Sequence, residues 1–524
     1  MSLSIIKTRA QIGINSPFVT VEVHLSKGLP GFNIVGLPET AVKESKDRVR
    51  SAIINSGFDF PLSKIIVNLA PADLPKEGGR YDLAIALGLL AASKQIPSKA
   101  LKNYIFLGEL ALTGDLREVK SILPTALVAS QHKEALFIPK ENISEISFID
   151  DLKVLAANSL KSVCEHFMGI SFLEPINLKD YFNKKNKNNY INQKKLDISD
   201  VKGQYNAKRA LEIAAAGGHS LLFYGSPGSG KTMLSSRINS ILPKLNKSEA
   251  LDVAVINSIS NRKVDIDNFF ERPFRAPHHT ASAVSLVGGG SSPKPGEISL
   301  AHHGILFLDE LPEFDRKVLE VLREPLESHK VTISRALRQV EFPARFQLIA
   351  AMNPCPCGYL GDLIKDCKCS DLQIKRYKQK LSGPLLDRID MHVEVLAVKS
   401  ETIVGLDKTS KIDNLENTSD NIRINVIKAR DIQMTRQGVV NADITHKQLE
   451  VICEIDDNSR LFMKRAMEKL GLSARVYHRV LKLSRTIADL QNKKNIELSH
   501  ITEAMSYRNL DKEENYSSHK NSYS

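Results

Sequence analysis

The chain is poor in several things, and each shortage narrows the field. None of its 524 residues fall in a run approaching the roughly 20 consecutive apolar residues that a membrane-crossing helix needs. Met1 to Asn15 has no apolar core followed by a small-residue cleavage site, so neither membrane insertion nor secretion is expected and a cytoplasmic location is. Cysteine occurs only six times, far too sparsely for a disulfide-stapled secreted scaffold. No internal repeat occurs, and aromatics are only 6% of the chain.

What is present is ordinary globular usage, with 42% hydrophobic and 25% charged residues, which excludes a wholly disordered chain. At roughly 150 residues per domain the length predicts three or four units. Lysine and arginine total 72 against 60 acidic residues, a net charge of +12, so an acidic polymer partner is compatible with the charge but not required by it.

The pattern along the chain predicts an α/β multidomain protein. Residues 1–182 alternate β-like runs (19–25, 65–69, 135–139) with helical ones (39–56), a compact mixed α/β domain. Residues 183–195 hold five Asn and five Lys among thirteen and read as a solvated linker. Residues 196–400 alternate buried strands, Gly-rich turns and helices, the pattern of a mainly parallel sheet. A polar linker over 401–419, a helical domain over 420–510 and a disordered tail over 511–524 complete the division.

The chemistry concentrates in the third segment. A short apolar strand, 220–224, runs into Gly225-Ser226-Pro227-Gly228-Ser229-Gly230-Lys231-Thr232, and a helix is expected from Met233. This is a phosphate loop in its strand-to-helix context. Its glycines let backbone N–H groups converge on phosphate oxygens, Lys231 reaches the β and γ phosphates, and Thr232 ligates Mg²⁺.

About 75 residues on, an apolar run over 304–308 ends in Asp309-Glu310. Alone this reads equally as a solvated turn; after a phosphate loop it supplies Asp309 to hold Mg²⁺ and Glu310 to polarise the attacking water. A third strand, 346–351, leads to Asn353-Pro354, an amide where a γ-phosphate sensor would sit, although Asn-Pro alone is usually a turn. Arg388 would stabilise transition-state charge in a neighbouring subunit's site, or form a surface salt bridge. Arg475 follows the helix cap Ser473 and reads alternatively as a surface arginine.

Cys355, Cys357, Cys367 and Cys369 form a Cys-x-Cys, nine residues, Cys-x-Cys cluster. Four thiolates suit tetrahedral Zn²⁺, with free loop thiols and redox sensing as alternatives. Cys164 and Cys453 read as solitary buried thiols. Adjacent residues on a strand point to opposite faces, so neither His278-His279 nor His302-His303 is expected to chelate a metal.

In chain order Lys231, Asp309-Glu310, Asn353, Arg388 and Arg475 resemble the Walker A, Walker B, sensor 1, arginine-finger and sensor 2 positions of an AAA+ P-loop ATPase. More narrowly the chain resembles the magnesium-chelatase-like YifB/ComM family. The motifs carrying this are GLPGFNIVGLP at 28–38, PKEGGRYD at 75–82, VKGQ at 201–204, AAAGGH at 214–219 and RTIADL at 485–490.

The resemblance implies ATP and Mg²⁺ as cofactors and a ring, expected to be a hexamer, with ATP between subunits and Arg388 acting in trans. The helical domain becomes a lid carrying sensor 2. The resemblance also implies a helicase that translocates on single-stranded and branched DNA, promoting branch migration as DNA is integrated in natural transformation, with recombination proteins as further partners.

Two segments are candidate pore elements, the insert 275–296 and a β-hairpin over 330–340. Lys330, Arg335 and Arg338 on the hairpin would contact DNA phosphates, or remain ordinary exposed charges. Residues 1–182 resemble a Lon-protease-like fold, but Arg80 stands where the serine nucleophile should be, and Leu123 and Thr125 stand at the lysine positions. Peptidase activity is therefore not expected, and the domain is given an assembly or DNA-binding role. Two other functions stay open: an ATPase subunit driving metal insertion into a tetrapyrrole, and a nucleotide-gated DNA-binding scaffold.

Overall fold

Alternation builds the first sheet. Val19, Val21 and Val23 are buried in Phe18–Ser26 while their neighbours are not, and Ile65, Val67 and Leu69 repeat the pattern in Lys64–Ala70. This is the period of two of a strand with one face in a core.

The computed structural model describes residues 2–186, 196–263, 265–290, 292–335, 338–362, 365–398 and 418–508. It divides into two compact units, Met1–Ile191 with Ala250–Phe269, and Asn192–Glu249 with Phe270–Ser524. In the first, seven strands form one sheet: β1 (Ser2–Arg9), β2 (Phe18–Ser26), β3 (Gly31–Val35), β4 (Lys64–Ala70), β5 (Tyr104–Phe106), β6 (Ala135–Pro139) and β7 (Val154–Ala157). Their order is β3-β4-β2-β1-β5-β6-β7. β2 runs antiparallel to β1 and β4, and the other neighbours are parallel.

The helix Asp82–Ala92 is apolar all round and buried along its whole length, as such a helix must be. A Cβ at its Gly88 would meet Val23 Cγ2 at 2.6 Å, so glycine is what lets helix and sheet approach. The helical run expected over 39–56 is broken at Glu44 into Thr40–Lys43 and Ser45–Asn55. At the other end, the helix Leu178–Asn186 continues into the first four residues of the expected Asn/Lys linker. The rest of that linker, 187–195, lies outside the described residues.

The second unit includes the strands β8 (Leu221–Tyr224), β9 (Phe274–Arg275), β10 (Ile305–Leu308), β11 (Lys330–Arg335), β12 (Arg338–Pro343), β13 (Gln347–Met352) and β14 (Met391–Glu394). Five make a wholly parallel sheet in the order β9-β10-β13-β8-β14. Every residue of β8, β10 and β13 is buried, the mark of a parallel sheet covered on both faces. β11 and β12 pair antiparallel from Lys330↔Pro343 to Arg335↔Arg338, the expected hairpin. Residues 336–337 and the side chains of Arg335 and Arg338 lie outside the described residues.

Of the polar linker, residues 401–417 also lie outside, as does the tail 511–524. Helices then occupy Ser419–Gln437, Asp457–Leu470, Ala474–Leu490 and Leu498–Ser506. Three start on side-chain caps: Thr418, Asp456 and Ser473 accept the N–H groups of Asn421, Ser459 and Val476, satisfying donors the helix leaves open. Val426, Ala429, Val480 and Ile487 share one apolar core with Leu221, Phe223 and Ile349 of the sheet. No described helix is long and apolar enough to cross a membrane.

Candidate functional site

Three glycines shape the turn that leaves β8. Gly228 and Gly230 have φ of 80° and 96°, in the left-handed region that favours glycine. A Cβ on Gly225 would stand 2.1 Å from the Val395 carbonyl oxygen. The chain then enters the helix Lys231–Ser236, two residues earlier than the sequence pattern indicates.

Lys231 Nζ donates to the carbonyls of Gly225 (2.8 Å) and Ser226 (2.9 Å) and to Asn353 Oδ1 (3.2 Å), occupying its three donors. Burial lowers the Lys231 pKa, and Asp309 opposes that shift. Thr232 Oγ1 donates to Asp309 Oδ2 at 2.7 Å, and the Glu310 N–H donates to Asp309 Oδ1 at 2.9 Å. Glu310 has φ of 51°, uncommon without glycine, and its Oε2 stands 3.1 Å from His279 Nδ1.

Lys231, Thr232, Asp309, Glu310 and Asn353 thus follow the carboxyl ends of β8, β10 and β13, three neighbouring parallel strands, where open α/β sheets bind ligands. The arrangement can cradle phosphate oxygens with backbone N–H groups and an ammonium. It offers a hydroxyl and a carboxylate, hard oxygen ligands of the kind Mg²⁺ takes, and a carboxylate for an attacking water.

The structure does not bring Arg388 and Arg475 to this group. Arg388 precedes β14, and Asp390 Oδ2, two residues on, accepts the N–H of Ser220 at 2.9 Å just before β8 begins. Both arginines therefore belong to the edge of the sheet opposite the phosphate loop, where they line a cavity of about 540 Å³ with Glu327, Arg479 and Lys482. Arg388 Nη2 is 2.7 Å from Glu327 Oε1, and its Nε has no hydrogen-bond partner among the described residues. Burial opposes ionisation of Asp390, but Arg479 and the His219 ring hold its carboxyl well below the usual carboxylate range.

The four clustered cysteines come together as free thiols, with their sulfurs all within 4.8 Å of one another. Cys355 Sγ is 3.4 Å from Cys357 Sγ, and both are 3.6 Å from Cys367 Sγ. The Cys357 N–H donates to Cys369 Sγ at 3.4 Å. Backbone N–H groups of Tyr359 and Lys368 pull the Cys357 thiol down to about 6. Four sulfurs about 2.3 Å from a tetrahedral zinc stand about 3.8 Å apart, so this donor set fits the ion. Cys164 and Cys453 are buried singly, and burial pushes each thiol up to about 12.

Neither histidine pair lies on a strand, so alternation does not separate the rings: their centroids are 4.1 Å apart for His278 and His279 and 3.9 Å for His302 and His303. On the hairpin, Lys330 Nζ pairs with Glu341 Oε2 at 3.2 Å and both are exposed.

Comparison with known proteins agrees along the whole length. Family profiles described as subunit ChlI of Mg-chelatase, as magnesium chelatase, subunit ChlI, and as the C-terminal part of that subunit match residues 21–142, 197–403 and 416–508. Competence protein ComM of Haemophilus influenzae is 49% identical over 508 residues, covering 97% of this chain and 98% of its own. YifB of Escherichia coli is 46% identical over 517 residues, 98% of each chain. The chain belongs to the YifB/ComM family. A magnesium-chelatase subunit ChlI, from Trieres chinensis, is 25% identical over 182 residues, 33% of this chain and 45% of its own.

Two contacts in this YifB/ComM family member went unread in the sequence. Gln204 Nε2 donates to the carbonyls of Ser229 (3.0 Å) and Leu396 (2.6 Å), tying the phosphate loop to the segment after β14. Its one signal is its place in the VKGQ motif. The other is His279 against Glu310, whose only signal is the run of two histidines in the insert.

Proposed function

We propose that this protein is a Mg²⁺-dependent ATPase that assembles into a ring, taken as a hexamer, and moves along single-stranded and branched DNA to promote branch migration during natural transformation and recombination. The observation that carries the reading is the convergence of Lys231, Thr232, Asp309 and Asn353 at the ends of three parallel strands. Lys231 and the loop N–H groups bind the phosphates of ATP, Thr232 and Asp309 hold Mg²⁺, Glu310 orients the water, and Asn353 senses the γ-phosphate.

Arg388 and Arg475 line one cavity on the opposite edge, so in a ring both reach the nucleotide of the adjacent copy. That assigns Arg475, like Arg388, a role in trans. The helical segment 420–510 serves as the lid. The hairpin carrying Lys330, Arg335 and Arg338 faces DNA, and the net charge of +12 favours such a partner.

The first domain is read as Lon-protease-like without its dyad. Arg80 there is buried and donates to Gln11 Oε1 and the Lys120 carbonyl, and Thr125 Oγ1 is spent on Ser16 Oγ. The four-thiol cluster is read as a structural Zn²⁺ site, recombination proteins as partners and the cytoplasm as the location.

The test is ATP hydrolysis with and without single-stranded and branched DNA at two salt concentrations, with Lys231→Ala as the blank. Stimulation by DNA that weakens with salt supports the motor, and strand exchange on branched substrates then tests branch migration. Hydrolysis indifferent to every DNA favours a chelatase-type ATPase, the reading that the ChlI profiles support. Glu310→Gln separates a motor from a nucleotide-gated scaffold, because only the scaffold keeps its activity.

A further inference from the structure

The thiol cluster and the nucleotide site share one short stretch of chain. Cys355 follows Asn353 by two residues and is wholly buried. The turn that begins there closes with the Gly358 N–H donating to the Cys355 carbonyl at 3.0 Å. Gly358 has φ of 85°, and a Cβ on it would lie 2.7 Å from Cδ and Cγ of Pro227 and 3.8 Å from Cγ of Asn353. The floor of the phosphate loop therefore rests directly on the thiol turn.

On the other side of that turn, Asn353 Oδ1 accepts from Lys231 Nζ at 3.2 Å. The Gly225 N–H donates to the Met352 carbonyl at 3.3 Å. Cys355 and Cys357 thus sit two and four residues along the chain from Asn353, whose side-chain amide is read as the γ-phosphate sensor and which Lys231 and the Tyr377 hydroxyl also hold. Four sulfurs all within 4.8 Å of one another match the spacing of a tetrahedral zinc donor set.

We propose that a zinc ion held by Cys355, Cys357, Cys367 and Cys369 is the clamp that orients Asn353, so that the site distinguishes a nucleoside triphosphate from a diphosphate, and turns it over, only when the metal is bound. This deepens the zinc reading above and rests on it. The phosphate loop keeps its own internal bonds from Lys231 to Gly225 and Ser226, so diphosphate binding survives loss of the clamp while recognition of the third phosphate does not.

The experiment counts metal in the purified full-length protein by mass spectrometry. It then strips the ion with a chelator under reducing conditions, and measures kcat together with ATP and ADP affinity before stripping, after it, and after zinc is restored. One zinc per chain is expected. Stripping should lower kcat on the order of ten- to a hundredfold, the scale on which a displaced positioning group acts. ATP affinity should drop to that of ADP with ADP affinity unchanged, and zinc should restore both.

Cys367→Ser should mimic stripping, whereas Cys164→Ser and Cys453→Ser should keep the metal. Gly358→Ala retains every thiol and should hold zinc yet lose turnover. With the stripped wild type it carries the test should a melting curve show that Cys367→Ser has unfolded. Absence of bound zinc overturns both the zinc reading and the clamp. Bound zinc whose removal leaves kcat and ATP/ADP discrimination intact, or weakens ATP and ADP alike, overturns the clamp and leaves a structural zinc site standing.

Discussion

His279 Nδ1 and Glu310 Oε2 stand 3.1 Å apart, so the carboxylate proposed to orient the attacking water already has a partner from the insert that precedes β10. An exposed pair of this kind is worth up to about 1 kcal/mol. His279→Ala should therefore raise hydrolysis in the absence of DNA by up to about fivefold. Steady-state ATPase measurements decide it, and a rate that falls by tenfold would show instead that the imidazole helps position Glu310.

Arg388 and Arg475 share a cavity on the edge of the sheet away from Lys231. If they serve the neighbouring copy, Arg388→Ala alone should lose about a thousandfold or more in kcat while ATP binding persists. Mixing it with Glu310→Gln protein should recover activity, because some interfaces then pair an intact Glu310 with an intact Arg388. Mixtures as inactive as their components would show that Arg388 does not act across an interface.

Lys330 lies exposed on the hairpin and pairs with Glu341. If it contacts single-stranded DNA, Lys330→Ala should lower the slope of log affinity against log salt by about 0.7, the loss of one phosphate contact. Glu341→Gln should tighten binding by releasing the ammonium. Titrations at four salt concentrations measure both, and an unaltered slope removes Lys330 from the DNA path.

Asp443 is half-buried against His329 and Arg345. Although burial opposes it, these two bring its carboxyl from the ordinary 3.8 down to about 2. A carboxyl depressed on folding stabilises the fold fully above its unfolded value and loses that contribution as pH falls through the folded one. Stability should therefore decline between about pH 4 and pH 2, by about 2 kcal/mol from this group. Asp443→Asn should lower the melting temperature at pH 7 and flatten its fall with acid. Parallel wild-type and variant curves would exclude the role.

The sequence exposes the nucleotide group well because each part is local. Gly228 and Gly230 announce a turn only glycine makes easily, the all-apolar 305–308 announces a buried parallel strand, and the carboxylates and amide that follow are carried to the same edge by strand direction. Position across the sheet is not local. Nothing near Arg388 or Arg475 tells which edge they occupy, because that depends on Asp390 meeting Ser220 across 170 residues. The same holds for Gln204, which reaches Leu396, and for Gly358 under Pro227. Residues 250–269 join the first unit with no shift in composition to mark the crossing. The histidine pairs lie outside strands, where the alternation of side chains along a strand does not operate.

Val426 and Val480 of the helices share one apolar core with Phe223 and Ile349 of the parallel sheet. If these helices serve as the proposed lid, this shared core would carry them with the sheet. In the proposed ring, loading or losing a γ-phosphate would turn the second unit as one solid piece, and the motion would appear at the seam with the next copy, where Arg388 and Arg475 wait.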